Sequence, residues 1–161
     1  MKILIVSDTH GRNNNLREII KKVSPIDMLI HLGDYCGTAK TIENMVKCPV
    51  HMIAGNNDWS SEYPGEKLIT IGKHRIFMTH GHKYRVGYGL DNLVYKAMEE
   101  HADIVMFGHT HVPLVKYEDG ITIVNPGSAS SPREYPYKPS YVIMEIDRRE
   151  EVLFGINYYE W

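Results

Sequence analysis

The sequence predicts an α/β (α+β) fold in which two mixed β-sheets pack together as a β-sandwich flanked by helices. In the first third of the chain, short apolar runs alternate with segments of helical periodicity, which is the order typical of a mostly parallel sheet. In the remainder, short apolar runs follow one another with turn residues between them, which favours antiparallel strands. The length of 161 residues fits a single domain over 1–161.

The first part of the chain contains five predicted elements. They are, in order, strand 2–7, helix 14–23, strand 28–32, helix 38–47 and strand 50–54. The strands are apolar runs bounded by Gly, Asp or Asn. In the first helix, Leu16 and Ile20 belong to an apolar series at helical spacing, and Pro25 ends it.

The second part contains more strands. The predicted elements are strands 66–71 and 75–79, helix 89–100, and strands 103–107, 113–117, 121–125, 140–146 and 151–158. Gly72-Lys73 and Glu118-Asp119-Gly120 are turns between neighbouring strands. Residues 126–139, rich in Pro, Ser and Tyr, form a long loop, and loops of this length in compact domains are often functional.

Composition and charge exclude several classes of function. The hydrophobic fraction is 43% and the net charge is -2, so the surface is not basic and a long nucleic acid is not expected as a partner. No apolar run is long enough to span a membrane, and the run before Ser7 is too short for a signal peptide. Cys36 and Cys48 lack redox or zinc spacing. We therefore expect a cytoplasmic protein.

Five segments place residues that can bind metals directly after apolar runs. They are Ser7-Asp8-Thr9-His10, Gly33-Asp34, Gly55-Asn56-Asn57-Asp58, His80-Gly81-His82 and Gly108-His109-Thr110-His111. Each segment is common by itself. In open α/β sheets, however, ligands bind beyond the carboxyl ends of the strands, so five such segments after five strands indicate one composite site.

The residue types indicate the chemistry of that site. Asp8 and His10 are two residues apart, as are His109 and His111, so at a strand end each pair is expected to point the same way. With Asp34, Asn56 and His80 there are seven candidate ligands, which is enough for two ions. Mixed imidazole, carboxylate and amide ligands suit Mn, Fe, Co, Ni or Zn. Two such ions polarise a phosphoryl group and generate hydroxide, so hydrolysis of a phosphate ester is expected.

These motifs resemble the ordered signature of the calcineurin-like metallophosphoesterases. Within that superfamily the chain is similar to the small YfcE-type phosphodiesterases. The similarity rests on Ser-Asp-Thr-His-Gly at 7–11, Thr-His-Gly-His at 79–82, and Asn125-Pro126-Gly127-Ser128 with Arg133. It extends over essentially the full length and implies the same sandwich fold.

The resemblance implies a role for each candidate residue. Asp8, His10 and His111 would hold one divalent ion, Asn56, His80 and His109 a second, and Asp34 would bridge both. A hydroxide bound between the ions would attack a small phosphodiester. Manganese is the first expectation for the metal, with nickel, zinc, iron or cobalt as alternatives.

Asn57 departs from the family pattern. The superfamily has a histidine at this position, thought to protonate the leaving group or steady the substrate, and an amide cannot replace it as an acid. We therefore expect a preference for activated or aryl phosphodiesters over alkyl phosphomonoesters. Asp58, which would normally orient that histidine, is free to bond backbone amides in its own loop.

Two further residues are candidates for the reaction itself. His82 either replaces the missing acid or supports a ligand from behind, and a plain structural role is also open. Arg133 either binds a substrate phosphate or is an ordinary solvated charge. His31 is expected in the core or behind a ligand. Cys36, Arg12, Tyr35 and Trp59 could line the site, although packing or solvated roles suit them equally well.

Two alternatives stand beside the phosphodiesterase. One is a non-catalytic protein-interaction scaffold of the same fold, like the retromer subunit that resembles this family. The other is a phosphomonoesterase or nuclease of the same superfamily. The late tyrosines (Tyr135, Tyr137, Tyr141, Tyr158 and Tyr159) are compatible with a homodimer interface or with ordinary strand positions.

Overall fold

The computed structural model describes residues 1–160 and confirms the predicted fold of two mixed sheets flanked by helices. The elements are β1 (Lys2–Val6), α1 (Asn14–Val23), β2 (Met28–His31), α2 (Ala39–Glu43), β3 (Val50–Met52), β4 (Glu66–Ile71), β5 (His74–Thr79), a 3₁₀ turn (His82–Tyr84), α3 (Asp91–Glu99), β6 (Ile104–Met106), β7 (Pro113–Glu118), β8 (Ile121–Pro126), β9 (Ser140–Ile146) and β10 (Val152–Tyr158).

The strand order brings the candidate segments to one end of the sandwich. The first sheet has the order β10-β9-β1-β2-β3 and the second β4-β5-β6-β8-β7. Strands β1, β2 and β3 run parallel to one another, as do β5, β6 and β8. The carboxyl ends of parallel strands meet at one edge, and the loops after β1, β2, β3, β5 and β6 carry the candidate residues.

Alternating apolar residues in the strands produce three packed layers. Ile3 and Ile5 of β1 lie between the sheets, where they pack with residues of the second sheet such as Met106. Leu4 and Val6 face the other way, into a cluster with α1 and α2. On the second sheet a separate cluster packs under α3. The site therefore rests on strands that are buried on both faces.

Helix α2 is shorter than the predicted 38–47, because it covers only Ala39–Glu43. The chain leaves the helix at Asn44, and Met45 and Val46 then pack against the apolar cluster on the outer face of the first sheet. The predicted loop 126–139 begins one residue later, since Pro126 still pairs with Pro113 in the second sheet. Across the described residues, no helix is both long and apolar enough to cross a membrane.

Candidate active site

All seven predicted ligands come together at the loops after these strands. Asp8 and His10 follow β1, Asp34 follows β2, Asn56 follows β3, His80 follows β5, and His109 and His111 follow β6. In two groups of three, the ligand atoms all lie within 4.8 Å of one another. One group is Asp8, His10 and His111, and the other is Asp8, Asp34 and His80.

Asp8 and His10 converge, but not because they alternate along a strand, as the sequence predicted. Strand β1 ends at Val6 and β6 ends at Met106, so the Asp-x-His and His-x-His segments lie beyond regular strand. Their side chains are instead directed by left-handed backbone, with positive φ at Asp8, His10, Asp34, His109 and His111. Such conformations are uncommon for residues other than glycine and cluster at functional sites.

Asp8 is the centre of the first group. Its Oδ1 lies 3.1 Å from His111 Nε2 and 3.7 Å from His10 Nε2. Its Oδ2 accepts hydrogen bonds from Ser7 Oγ at 2.6 Å and from the backbone N–H of His109 at 3.0 Å. One carboxylate oxygen is thus fixed by the protein, and the other faces two imidazoles.

His80 connects the two carboxylates. Its Nδ1 donates to the carbonyl of Leu32 at 2.7 Å, so in the neutral imidazole the lone pair lies on Nε2. That nitrogen lies 3.4 Å from Asp34 Oδ2 and 3.9 Å from Asp8 Oδ1. Burial opposes protonation of this ring, but contacts with Asp34 and Asp8 outweigh burial and raise the pKa of His80. Gly33, at φ +97, permits the approach, since a Cβ there would lie 2.8 Å from His80 Nδ1.

Asn56 and His109 form the solvent side of the site. Asn56 Oδ1 lies 3.0 Å from His109 Nδ1, and the His109 ring is 5.2 Å from that of His80. His109 and His111 thus turn to different partners, although the sequence suggested that they point the same way.

The electrostatics favour ionised carboxylates. Burial opposes ionisation of Asp8, but contacts with His111 and His80 outweigh it and lower the pKa of this carboxyl. Asp34 behaves similarly: burial is outweighed by His80 and Asn57, and its pKa falls well below the usual range. Burial lowers the pKa of His109, and the charges of His80 and, to a smaller extent, Arg133 lower it further. A lower pKa favours the neutral imidazole, which is the form that binds metals.

The donor set fits a bound cation. Within residues 1–160, Asp8 Oδ1 and His80 Nε2 are buried and form no hydrogen bond that meets the geometric criteria, although His111 Nε2 lies 3.1 Å from the carboxylate oxygen. Such atoms are costly to leave unsatisfied. His10 Nε2 and His111 Nε2 face each other at 3.1 Å. Because His111 Nδ1 already donates to the Ser131 carbonyl at 2.6 Å, its Nε2 carries a lone pair. Lone pairs and carboxylate oxygens therefore converge on common points.

Asn57 and Asp58 hold the loop after β3 against Asp34. Asn57 donates to Asp34 twice, from its backbone N–H at 2.9 Å and from Nδ2 at 2.7 Å. Asp58 is buried and accepts backbone N–H bonds from Asp34 at 2.6 Å, Gly55 at 2.7 Å and Cys36 at 2.7 Å. The prediction that Asp58 bonds amides of its own loop is confirmed for Gly55, and the bonds to Asp34 and Cys36 extend it to a second loop.

Sequence reasoning missed the serines that support the site from behind. Ser128 Oγ donates to the Asp8 carbonyl at 2.8 Å, and Ser130 Oγ donates to the same oxygen at 3.1 Å. Ser131 accepts from His111. The cluster of serines after Asn125-Pro126-Gly127 was the available indication, because a buried Ser-rich loop must direct its polar groups to partners.

His31 lies behind the site, as expected, and connects two of its loops. Its side chain is fully buried, with Nδ1 accepting the Gly33 N–H at 3.3 Å and Nε2 lying 3.2 Å from Thr9 Oγ1. Burial lowers the pKa of His31 to about 4, so the ring is neutral at physiological pH. The neutral tautomer can then donate from Nε2 to Thr9.

The other candidates lie around this centre. The His82 ring packs near His80 at 5.5 Å and His109 at 6.1 Å. Within residues 1–160 its Nδ1 is buried without a hydrogen-bond partner, and burial lowers the pKa of this ring. Arg133 is exposed. Cys36 Sγ lies 3.8 Å from His10 Nδ1.

Three further candidates, Arg12, Tyr35 and Trp59, lie outside the group of proposed ligands. Arg12 contacts Ser131 Oγ. Tyr35 is buried in the apolar cluster of the first sheet, which supports its packing role, whereas Trp59 is 86% exposed.

Comparisons with known proteins agree with this geometry. Residues 1–149 match the model of the calcineurin-like phosphoesterase superfamily domain. A probable metallophosphoesterase of Bacillus subtilis is 34% identical over 148 residues, which cover 91% of this chain and 85% of that protein. The crystal structure of a predicted phosphoesterase from Streptococcus pneumoniae superposes with a TM-score of 0.79 at 29% identity, covering 98% and 97% of the chains.

A further structural likeness shows the fold alone. Vps29 of Entamoeba histolytica, solved as a complex with Zn²⁺, has a TM-score of 0.78 at 21% identity, and the match covers 98% of this chain and 99% of that one.

Proposed function

The chain belongs to the calcineurin-like phosphoesterase superfamily, and we propose that it is a metal-dependent phosphodiesterase acting on a small phosphodiester. One observation carries the proposal. Asp8 Oδ1 and His80 Nε2 are buried 3.9 Å apart and form no hydrogen bond within residues 1–160, and Asp34 Oδ2 lies 3.4 Å from the same nitrogen. Divalent cations that share Asp34 would give Asp8 Oδ1 and His80 Nε2 the partners that they lack within residues 1–160.

We propose two ion positions that share Asp34. One is held by Asp8, His10 and His111, and the other by Asn56, His80 and His109. Two divalent ions would polarise a phosphoryl oxygen and lower the pKa of a water molecule, so that hydroxide is available near neutral pH. The mixed nitrogen and oxygen donors favour manganese as the first metal to test, with nickel, zinc, iron and cobalt as alternatives.

The surrounding residues fix these ligands. Asn57 engages both oxygens of Asp34 and so limits their rotation. The Leu32 and Ser131 carbonyls hold His80 and His111 in the tautomers that offer Nε2. We propose that Arg133, on the solvent side, binds a nonbridging phosphate oxygen through its guanidinium.

The state of Asn57 supports a diester with a good leaving group. Its side-chain amide is committed to Asp34 at 2.7 Å, and an amide cannot supply a proton at neutral pH. A leaving group that departs without protonation, such as an aryl oxide, suits this arrangement. We therefore expect activated or aryl diesters to react faster than alkyl monoesters.

The test is hydrolysis of bis(p-nitrophenyl) phosphate by metal-stripped protein to which Mn, Ni, Zn or Mg is returned. Metal-dependent turnover is expected, with a loss of about a hundredfold to a thousandfold in Asp34→Asn, a scale typical of removing one key electrostatic group. Asp119→Asn, the same chemical change in an exposed turn, should leave the rate unchanged.

Two outcomes of this assay would redirect the assignment. Folded protein that is inactive with every metal would favour the non-catalytic scaffold of the same fold. The next experiment would then be a search for protein partners by pull-down. Faster turnover of p-nitrophenyl phosphate than of the diester would favour a phosphomonoesterase.

We also propose a cytoplasmic location and a homodimer. Tyr135 and Tyr137 are 82% and 66% exposed, whereas Tyr141 is buried, so only some of the late tyrosines are available to a second copy. A dimer mass by light scattering would support the assembly, and a monomer mass would contradict it.

A further inference from the structure

A largely apolar cavity opens directly beside His109. Its volume is about 530 Å³. The walls come from residues 86–90, which follow the 3₁₀ turn, and from residues 107–114, which lead from β6 into β7. The apolar lining consists of Val86, Leu90, Phe107, Val112 and Leu114, and the remaining contacts are Gly87, His109, Thr110 and Arg133.

The apolar wall is part of the core. Val86 and Phe107 are 5% and 2% exposed and belong to the cluster under α3, against which Leu90 and Leu114 also pack. Gly81, at φ +102, allows the loop to fold back this closely, because a Cβ there would lie 2.9 Å from Val86 and 3.2 Å from Phe107. The cavity is therefore shaped before any ligand arrives.

The cavity lining also includes the polar side chains of His109, Thr110 and Arg133. His109 is both a cavity wall and a proposed ligand, so a phosphate at the ions lies next to the opening. Arg133 carries a guanidinium that forms no hydrogen bond or ion pair with residues 1–160, and it lines the same cavity. A concave apolar space with a few polar groups at one side is the usual form of a small-molecule site.

We infer that this cavity binds an aromatic, or comparably apolar, ester group of the substrate while Arg133 contacts the phosphate. The inference rests on the proposed function and adds the class of substrate. It concerns the group that stays in the cavity, which need not be the leaving group, so it is independent of the argument from Asn57. A phosphodiester with one aromatic ester group would place its aromatic ring against the apolar walls and its phosphate against the Arg133 guanidinium.

Two substrates with the same leaving group isolate this contribution. Methyl p-nitrophenyl phosphate and phenyl p-nitrophenyl phosphate both release p-nitrophenolate, and they differ in the second ester group. We expect the manganese-loaded protein to prefer the phenyl ester in kcat/KM by at least about tenfold, since discrimination by apolar pockets begins at that scale.

A matched pair of variants assigns the preference to the cavity. Leu90→Ser removes an apolar wall at the N-cap of α3, where serine is favourable, so the helix should be kept. The preference for the phenyl ester should fall to about threefold or less, through a lower kcat/KM for the phenyl ester. Tyr95→Ser alters an exposed side chain of the same helix, 65% accessible, and should leave the preference intact.

A binding measurement provides a readout that does not depend on turnover. In zinc-loaded, methyl-labelled protein, phenyl phosphate should shift the NMR resonances of Val86, Leu90, Val112 and Leu114, and methyl phosphate should leave them in place. Metal-dependent hydrolysis of both esters at equal rates, without these shifts, would overturn the inference and keep the proposed function. Shifts without hydrolysis of either ester would support the cavity and contradict the proposed function.

Discussion

The site has two halves that differ in how the protein holds them. The inner half consists of Asp8, Asp34, His80 and His111, which are at most 4% exposed. The outer half consists of Asn56, Asn57, His109 and Arg133, which are partly or fully exposed. His10, at 23% side-chain exposure, lies between them.

The difference lies in the origin of the contacts. Ser7 and the His109 amide fix one oxygen of Asp8, and backbone carbonyls of Leu32 and Ser131 fix the rings of His80 and His111. In the outer half, Asn56 Oδ1 lies 3.0 Å from His109 Nδ1, and Arg133 is exposed. The comparison indicates that the proposed ligands of the inner half are held in place by the protein, whereas the outer half is more exposed.

The largest expected effect comes from the residue that ties the halves together. Asp58→Ala removes the acceptor for three backbone N–H groups, and we expect the free energy of unfolding to fall by roughly 4 kcal/mol, because bonds to charged groups contribute more than neutral ones. Urea unfolding of metal-free protein measures it. The free energy of unfolding of Asp58→Asn should lie between those of wild type and Asp58→Ala, and Trp59→Ala should change it little. A loss below about 1 kcal/mol for Asp58→Ala would show that the two halves are held independently.

His31, which lies behind the inner half, should make the stability of the protein sensitive to acid. Its pKa is about 4 in the folded protein, against an ordinary value of 6.5, so the unfolded chain takes up this proton more readily as pH falls. The contribution of His31 to the free energy of unfolding is fully present above pH 6.5 and is lost as the pH falls to about 4. The total loss is on the order of 3 kcal/mol.

His31→Gln removes this term without placing an apolar group beside Thr9. The difference in unfolding free energy between wild type and variant should therefore shrink as the pH is lowered from 6.5 toward 4, when measured with a chelator present. Parallel pH profiles for the two proteins would contradict the buried neutral imidazole.

In the outer half, Asn57 should affect rate more than stability. Asn57→Ala loses the side-chain bond to Asp34 Oδ2 but keeps the backbone bond to Oδ1. A loss of about tenfold in activity or metal affinity is expected, which is the lower end for a residue that orients a ligand. Steady-state kinetics over a manganese titration, with thermal unfolding as the control for stability, would measure it. An unchanged metal dependence would remove Asn57 from the support of Asp34.

The smallest effect is expected for His82. It makes ring contacts with His80 and His109, and it forms no hydrogen bond to any proposed ligand within residues 1–160. His82→Ala should change hydrolysis of bis(p-nitrophenyl) phosphate by less than about threefold, since p-nitrophenolate leaves without protonation. A far larger loss with esters of less acidic alcohols would instead identify His82 as the proton donor, because general acids contribute about a hundredfold or more.

The inner and outer halves also differ in how far the sequence could predict them. Asp8, Asp34 and His80 each follow an apolar run, and parallel strands end at one edge, so their meeting was predictable. The left-handed backbone at Asp8 and His10 was not, because local sequence only weakly favours it in residues other than glycine and tertiary contacts impose it.

Contacts across long stretches of chain were the least predictable. Ser128 reaches the Asp8 carbonyl across 120 residues, and Ser131 reaches His111 from an irregular loop. Neither contact has a periodic pattern in the sequence. The apolar cavity escaped prediction for the same reason, since Leu90 and Leu114 come from elements that meet only in the folded protein.

The most direct test of a preorganised inner half is the number of manganese ions bound per chain, measured by equilibrium dialysis of wild type, Asn56→Ala and His111→Ala. The wild type should bind two ions. Asn56→Ala, altered in the outer half, should retain one tightly bound ion, and His111→Ala should lose that tight ion. A wild type that binds fewer than two ions, or equal losses in the two variants, would contradict the division of the site into a fixed inner half and a more exposed outer half.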